Sequence, residues 1–319
     1  MLKDPVVHRE KQSKRVIKVG SRKSQLALTQ TKQVISQLSS LYPEYEYSVE
    51  VLDTIGDRLL EVAPAEIGEK GIFTQELEAK LLDRTLDFVV HSLKDLPTNL
   101  PRQLILAAVT KRENPADALI IHPKHKACQI DTLPDGSVVG TSSLRRIAQL
   151  KYRFPQLETK SLRGNVITRL EKLKNGQYDA IVLASAGLVR LKMAHHIHQI
   201  FSPRLMMHAV GQGALGIECH KDNTEVRQML RRVDDFSTHQ SCSAERALLR
   251  SLEGGCQAPI GVDVSVKGDD IDFRAIVVDL EGRSAVEDRI SGSVQEPEEV
   301  GCQLAKKLLN NGAGNILRP

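Results

Sequence analysis

With 319 residues the chain exceeds what a single core usually organises, so two or three domains are expected. Its 41% hydrophobic and 26% charged residues describe an ordinary globular protein, and no run approaches the roughly 20 apolar residues of a membrane-spanning helix. A net charge of only +4, from 44 basic and 40 acidic side chains, and the lack of any tryptophan argue against a nucleic-acid binder, which needs a basic surface and stacking aromatics.

The opening residues, MLKDPVVHREKQSKRV, carry no apolar signal-peptide core, and Asp4 and Glu10 fit a transit peptide poorly, so a cytoplasmic protein is expected. The cysteines, Cys128, Cys219, Cys242, Cys256 and Cys302, are widely spaced and form no CxxC pair. They read as reduced thiols, not as a disulfide framework or a zinc site.

Residues 16–19 predict a strand, followed by the small polar turn at Gly20 and Ser21, then Arg22 and Ser24. Ala27, Thr31, Val34, Leu38 and Leu41 then recur at helical spacing, with Ser24 as a candidate cap. Arg22 thus stands where a strand ends and a helix begins, a place that favours an anion. Residues 47–52 predict the next strand. Residues 63–71, with Pro64, Gly68 and Gly71 around charged residues, read as a lid-like loop that contains Lys70. Residues 74–84 predict a helix with Phe73, Leu77 and Leu81 on one face.

The stretch 88–98, FVVHSLKDLPT, passes from an apolar strand into a turn carrying Lys94 and Asp95, with Pro97 preventing a long helix. In open α/β sheets the loops beyond such strand ends are where ligands bind. Strands are expected at 104–109, 118–121, 138–140 and 180–184, with a crossing into a second domain near residue 113. Ser142, Ser143, Arg145 and Arg146 repeat the opening pattern of strand, small polar turn, arginine and helix. A helix after Asn165 carries Arg169, and Arg163 precedes it; Arg190 follows the 180–184 strand. Strands alternating with helices at this spacing imply mostly parallel sheets covered on both faces.

Each basic residue alone reads as a solvated charge. Arg22, Lys94, Arg145, Arg146 and Arg190 at equivalent strand ends, with Arg163 and Arg169 nearby, instead predict a cleft for a ligand with many carboxylates or phosphates. At about 4 Å and an effective dielectric near 20, each charge pair contributes roughly 4 kcal/mol before desolvation, so such a cleft needs its anions.

Gly211, Gly213 and Gly216 spell GxGxxG, but they precede an apolar run at 215–219 and do not open a helix after a strand, so a dinucleotide site is rejected. A glycine crossover that lets backbone approach a ligand is expected instead. His195, His196 and His198 lack acidic or cysteine partners at ligand spacing and read as a polar helix end or loop. Beyond residue 238, a helix over 243–252 ends at Gly254 and Gly255. Strands over 262–266, 271–278 and 284–290 and a helix over 298–309 then predict an α+β domain with a three-stranded antiparallel meander. Cys256, in a glycine-flanked loop, reads either as a small buried turn residue or as a nucleophile or attachment point.

At this point VGSRKSQLALTQT, GEKGIFTQELE, VVHSLKDLPT, KRENPADA, VGTSSLRRIAQL, LRGNVITRL, LASAGLVRL, AVGQGALGIE and LEGGCQAPI can be taken together. In this order, over about residues 16–262, the chain resembles the porphobilinogen deaminase family, also called hydroxymethylbilane synthases. The departures, Met206, Met207, His208 and Ala258, remove no chemical group; beyond Gly261 the match is loose.

The resemblance implies an α/β fold of two periplasmic-binding-protein-like domains around a cleft, plus a smaller α+β domain. The expected limits are 1–113 with 209–236, then 114–208, then 237–319. It further implies a dipyrromethane cofactor held by thioether at Cys256 and gripped by Lys94, Ser142, Ser143, Arg146, Arg169 and Gln212. Arg22, Ser24, Arg145, Arg163 and Arg190 would handle the substrate, porphobilinogen, and Asp95 would be the catalytic carboxylate. Four porphobilinogens would add head to tail, each losing ammonia, before water releases hydroxymethylbilane. A monomer is expected, with no nucleic-acid or membrane partner and no metal. The competing readings are a non-catalytic binding module, which leaves Cys256 without a purpose, and the nucleic-acid binder already disfavoured by charge.

Overall fold

The computed structural model describes residues 14–54, 73–252 and 258–317. The expected lid with Lys70, and Cys256 itself, lie outside the described residues. The chain begins with β1 (Val16–Arg22), the helix Gln25–Leu41, β2 (Glu46–Leu52), the helix Gln75–Leu82, β3 (Phe88–Ser92) and β4 (Leu104–Val109). It then builds β5 (Asp117–Ile121), β6 (Val138–Gly140), β7 (Glu158–Lys160), β8 (Ala180–Ala184) and β9 (Gln199–Ile200), with the helices Leu144–Arg153, Val166–Lys174 and Ser185–Arg190 between them. Next comes β10 (Leu215–His220). The long helix Phe236–Ser251 leads to β11 (Ile260–Lys267), β12 (Asp270–Val278) and β13 (Ala285–Ser293), and the helix Pro297–Asn310 follows.

The first sheet has the order β2-β1-β3-β10-β4, with β1 parallel to β2 and β3, and β10 antiparallel to β3 and β4. The second has the order β7-β6-β8-β5-β9, with β6 parallel to β7 and β8, and β5 antiparallel to its neighbours. Helical crossovers enforce the parallel pairs. The chain therefore leaves the first sheet after β4, completes the second, and returns as β10. The third sheet, β11-β12-β13, is an antiparallel meander. These are the two α/β halves and the α+β unit expected.

Alternation places Ile17, Val19, Phe88, Val90, Leu215 and Ile217 in one core of the first sheet, with Val34 and Leu38 of the covering helix. In the second sheet, Leu119, Val139 and Val182 face one side and Ala118, Ile181 and Leu183 the other, so both faces are buried. Val262, Phe273 and Val277 of the meander pack on Ala244, Leu248, Val300 and Leu304 of the two long helices.

The helix expected at 243–252 starts earlier, at Phe236, because Asp235 caps it by accepting a 2.9 Å hydrogen bond from the Thr238 amide. The glycine crossover is real, but what it brings close is the chain's own backbone. Gly211 and Gly213 have φ of +69° and +88°, and a Cβ at Gly213 would stand 2.4 Å from the Glu113 carbonyl oxygen. The outgoing and returning segments between the first two sheets thus pass in backbone contact.

Candidate active site

β3 ends in a 3-10 turn, Leu93–Asp95, anchored by buried Leu93 and Leu96 and by the Leu93 amide, which donates to the Ala214 carbonyl at 3.0 Å. Lys94 and Asp95 are the polar residues this anchoring leaves just beyond the end of the sheet's central strand. The neighbouring β1 ends at Arg22, whose Nη1 is 4.0 Å from Asp95 Oδ2 and whose guanidinium lies 4.1 Å from the Phe73 ring centroid. Ser24 accepts from the Ala27 amide at 3.2 Å and caps the helix Gln25–Leu41.

On the second sheet, β6 leads through Ser142 and Ser143 into the helix Leu144–Arg153. Its first-turn arginines are buried and converge on Asp117, at the start of β5. Arg145 Nη1 donates to Asp117 Oδ2 at 2.7 Å, and Arg146 Nη2 and Nε donate to Oδ1 at 2.7 and 3.1 Å. Gln212 Nε2 donates to the same oxygen at 2.8 Å and to the Pro115 carbonyl at 2.7 Å. Burial alone would raise the Asp117 carboxyl, but the charges of Arg145 and Arg146 together override it and hold it well below the usual carboxylate range.

Burial pushes Lys94 down to about 8; the Asp95 charge opposes that shift and Arg146 adds to it. Burial also lowers Arg169, to about 10, with Arg146 pushing the same way and Asp95 opposing. Those mutual influences place Asp95, Lys94, Arg146 and Arg169 within one electrostatic neighbourhood although they come from different sheets. Arg169 Nε donates to the Gly164 carbonyl at 2.7 Å.

A small pocket, open to solvent, is lined by Leu93, Lys94, Ser143, Arg145, Val210 and Ala258, among others. It therefore draws a wall from each of the three sheets' surroundings, including the residue two positions after Cys256. Ser142 Oγ instead donates to the Leu162 carbonyl at 2.9 Å and shares a hydrogen bond with Ser161 Oγ at 2.9 Å. Arg163 is exposed. Arg190 Nη2 donates to the Gly213 carbonyl at 2.7 Å, at the crossover.

Three groups escaped the sequence reading. Asp117 stands at the head of an apolar run, where an acid reads as a turn, although two adjacent arginines opening a buried helix require a counter-charge. Phe73 was assigned to a helix face; it lies beneath Arg22. The pair Arg112 and Glu245 is bidentate, at 2.6 and 3.0 Å, and Glu245 also accepts from the Gly211 amide at 2.7 Å, fixing the crossover to the helix Phe236–Ser251.

Fold and site together define an α/β protein with a pocket lined in part by cationic side chains. Residues 17–228 match the family profile described as porphobilinogen deaminase, dipyromethane cofactor binding domain, and residues 239–310 match porphobilinogen deaminase, C-terminal domain. The chain is 51% identical over 305 residues to the porphobilinogen deaminase of a Nostoc species, covering 96% of this chain and 94% of that protein. It is 52% identical over 301 residues to that of Prochlorococcus marinus, covering 94% and 95% respectively. Among solved structures, the VFT2 domain of Bordetella pertussis BvgS aligns at 17% identity and a TM-score of 0.41, over 68% of this chain and 86% of that one, too remote to add to the fold seen directly. The chain belongs to the porphobilinogen deaminase family.

Proposed function

We propose that the cleft between the first two sheets is where this transferase condenses porphobilinogen head to tail, releasing ammonia, in tetrapyrrole and heme biosynthesis. The growing chain is carried on dipyrromethane, and water releases hydroxymethylbilane. The donor set suits such a ligand. Each pyrrole brings an acetate and a propionate, while Arg22, Lys94, Arg145, Arg146 and Arg169 set five cations against the two carboxylates Asp95 and Asp117. Arg145 Nε and Arg190 Nε are, besides, buried donors without a hydrogen-bond partner among the described residues.

When bound, dipyrromethane would supply the free pyrrole carbon to which the first substrate is joined, each later one being joined to the ring added before it. Cys256 holds it by thioether, as the family match implies, and Lys94, Ser142, Ser143, Arg146, Arg169 and Gln212 hold its carboxylates. Arg22, Ser24, Arg145, Arg163 and Arg190 hold those of substrate and lengthening product. Asp95 accepts the pyrrole N–H, stabilises the positive charge that develops on porphobilinogen as its amine leaves, and assists proton transfer. A lysine cannot fill these roles.

The observation that supports this reading most is that Lys94, Ser143, Arg145 and Ala258 wall one and the same pocket. No helix among the described residues is long and apolar enough to cross a membrane. A cytoplasmic monomer without nucleic-acid partners, divided as 1–113 with 209–236, 114–208 and 237–319, completes the proposal. Intact mass tests it: the protein is expected to exceed its sequence mass by one dipyrromethane, and Cys256→Ser to remove the excess. A wild-type mass equal to the bare chain would contradict it.

A further inference from the structure

We infer that Arg246 is a positioning residue for the Asp95 turn, acting from the helix Phe236–Ser251. Arg246 is buried, 6% exposed, and lines the same pocket as Lys94. Its Nη1 donates to the Leu96 carbonyl at 3.0 Å and its Nη2 to the Pro97 carbonyl at 2.7 Å. These carbonyls directly follow the 3-10 turn Leu93–Asp95, where helical hydrogen bonding has run out and acceptors are left without amide partners. A planar guanidinium spans two successive carbonyls, whereas an ammonium is a single point of attachment.

The turn's own closure is slight. The Leu96 amide donates to the Leu93 carbonyl at 3.2 Å, and Pro97 has no amide to offer. Arg246 therefore supplies, from a different layer of the molecule, the bonds that fix where the chain leaves Asp95. Its neighbour Glu245 grips Arg112 and the Gly211 amide, so consecutive residues of one helix hold the crossover and the turn in a common frame.

The proposal rests on the reading of Asp95 as the group that acts on substrate, and its test separates the two. Arg246→Met, Arg246→Lys and, as a control on the same helix, Arg250→Met are compared by intact mass, steady-state kinetics and amide exchange at Leu96. Arg250 bonds only to the exposed Glu298, at 3.0 Å, among the contacts seen for it, and its variant is expected to match wild type. Arg246→Met is expected to carry the full dipyrromethane mass, to exchange the Leu96 amide faster, and to lose about 10²-fold in kcat with KM little changed, since a small misplacement of the reacting group costs rate and not affinity.

Arg246→Lys should fall between the two. If Arg246→Met does not accumulate folded, Arg246→Lys decides alone, with lowered kcat and faster exchange expected. Wild-type kcat and exchange in the variant that decides would overturn the proposal, as would a raised KM with kcat intact, which would make Arg246 a direct ligand contact. Full turnover in Asp95→Asn would instead sink the underlying assignment and leave the exchange result standing.

Discussion

Asp117 and Asp95 each face guanidinium groups, but the two neighbourhoods are built to opposite ends. Asp117 is fully buried and saturated, with Arg145, Arg146 and Gln212 all bonding to it at 2.7 to 3.1 Å. Asp95 has a side chain 37% exposed, and its contact with Arg22 is a loose 4.0 Å. A carboxylate whose lone pairs are all engaged fixes the orientation of its partners and has nothing left to offer a substrate. One that is half-exposed and weakly paired can accept a new hydrogen bond and respond to charge as it develops. Proximity to arginine therefore does not by itself mark a catalytic acid; saturation separates the group that shapes the cationic wall from the group proposed to work within the cleft.

The sharpest way to break this contrast is at Asp117. Asp117→Asn leaves two buried guanidiniums facing a neutral amide, and breaking such an arrangement costs about 3–5 kcal/mol. Denaturant unfolding should show that loss. A variant within error of wild type would mean that Arg145 and Arg146 need no internal counter-charge. Because the Asp117 carboxyl is held below the ordinary carboxylate range, its contribution to stability is fully present above that range and is lost as the pH falls from that range through its lowered folded-state value.

The smaller effect lies at Lys94, which feels the charge of both acids. Its value is lowered from 10.5 to about 8 by burial, so the folded protein disfavours its charge. The sign follows directly. Below about 8 the ammonium is present to hold carboxylates, and as the pH rises through that value substrate affinity should weaken. Stability should meanwhile gain from this group between 8 and 10.5, as the buried charge is relieved. A pH profile of KM checks this: Lys94→Arg, which keeps its charge, should lose the limb near 8, and an identical limb in both proteins would show that another group produces it.

Much of this arrangement could be read before any coordinates. The apolar runs at 104–109 and 180–184 became strands with those limits, and Ser24 caps the helix it precedes. Arg22 closes β1, Lys94 lies in the turn after β3 and Arg145 in the first turn of the helix after β6, as the alternation of strand, polar turn and helix suggests. Legibility failed where the signal was short or lay in the partner. β7 and β9 span three and two residues, too few for any periodicity. The helix from Phe236 opens with Ser237, Thr238 and Gln240, which carry little apolar pattern. Asp117, opening a fully buried strand, looks like the end of a turn until its arginines are seen in three dimensions. Arg246 bonds to carbonyls, and backbone acceptors leave no trace in a sequence.

Turnover of Asp95→Asn, expressed per dipyrromethane-loaded molecule, tests the central contrast most directly. The half-exposed carboxylate should be dispensable for folding and necessary for chemistry, so the denaturation midpoint should stay put while the rate falls by about 10²–10⁴-fold. Wild-type turnover in the loaded variant would contradict the account.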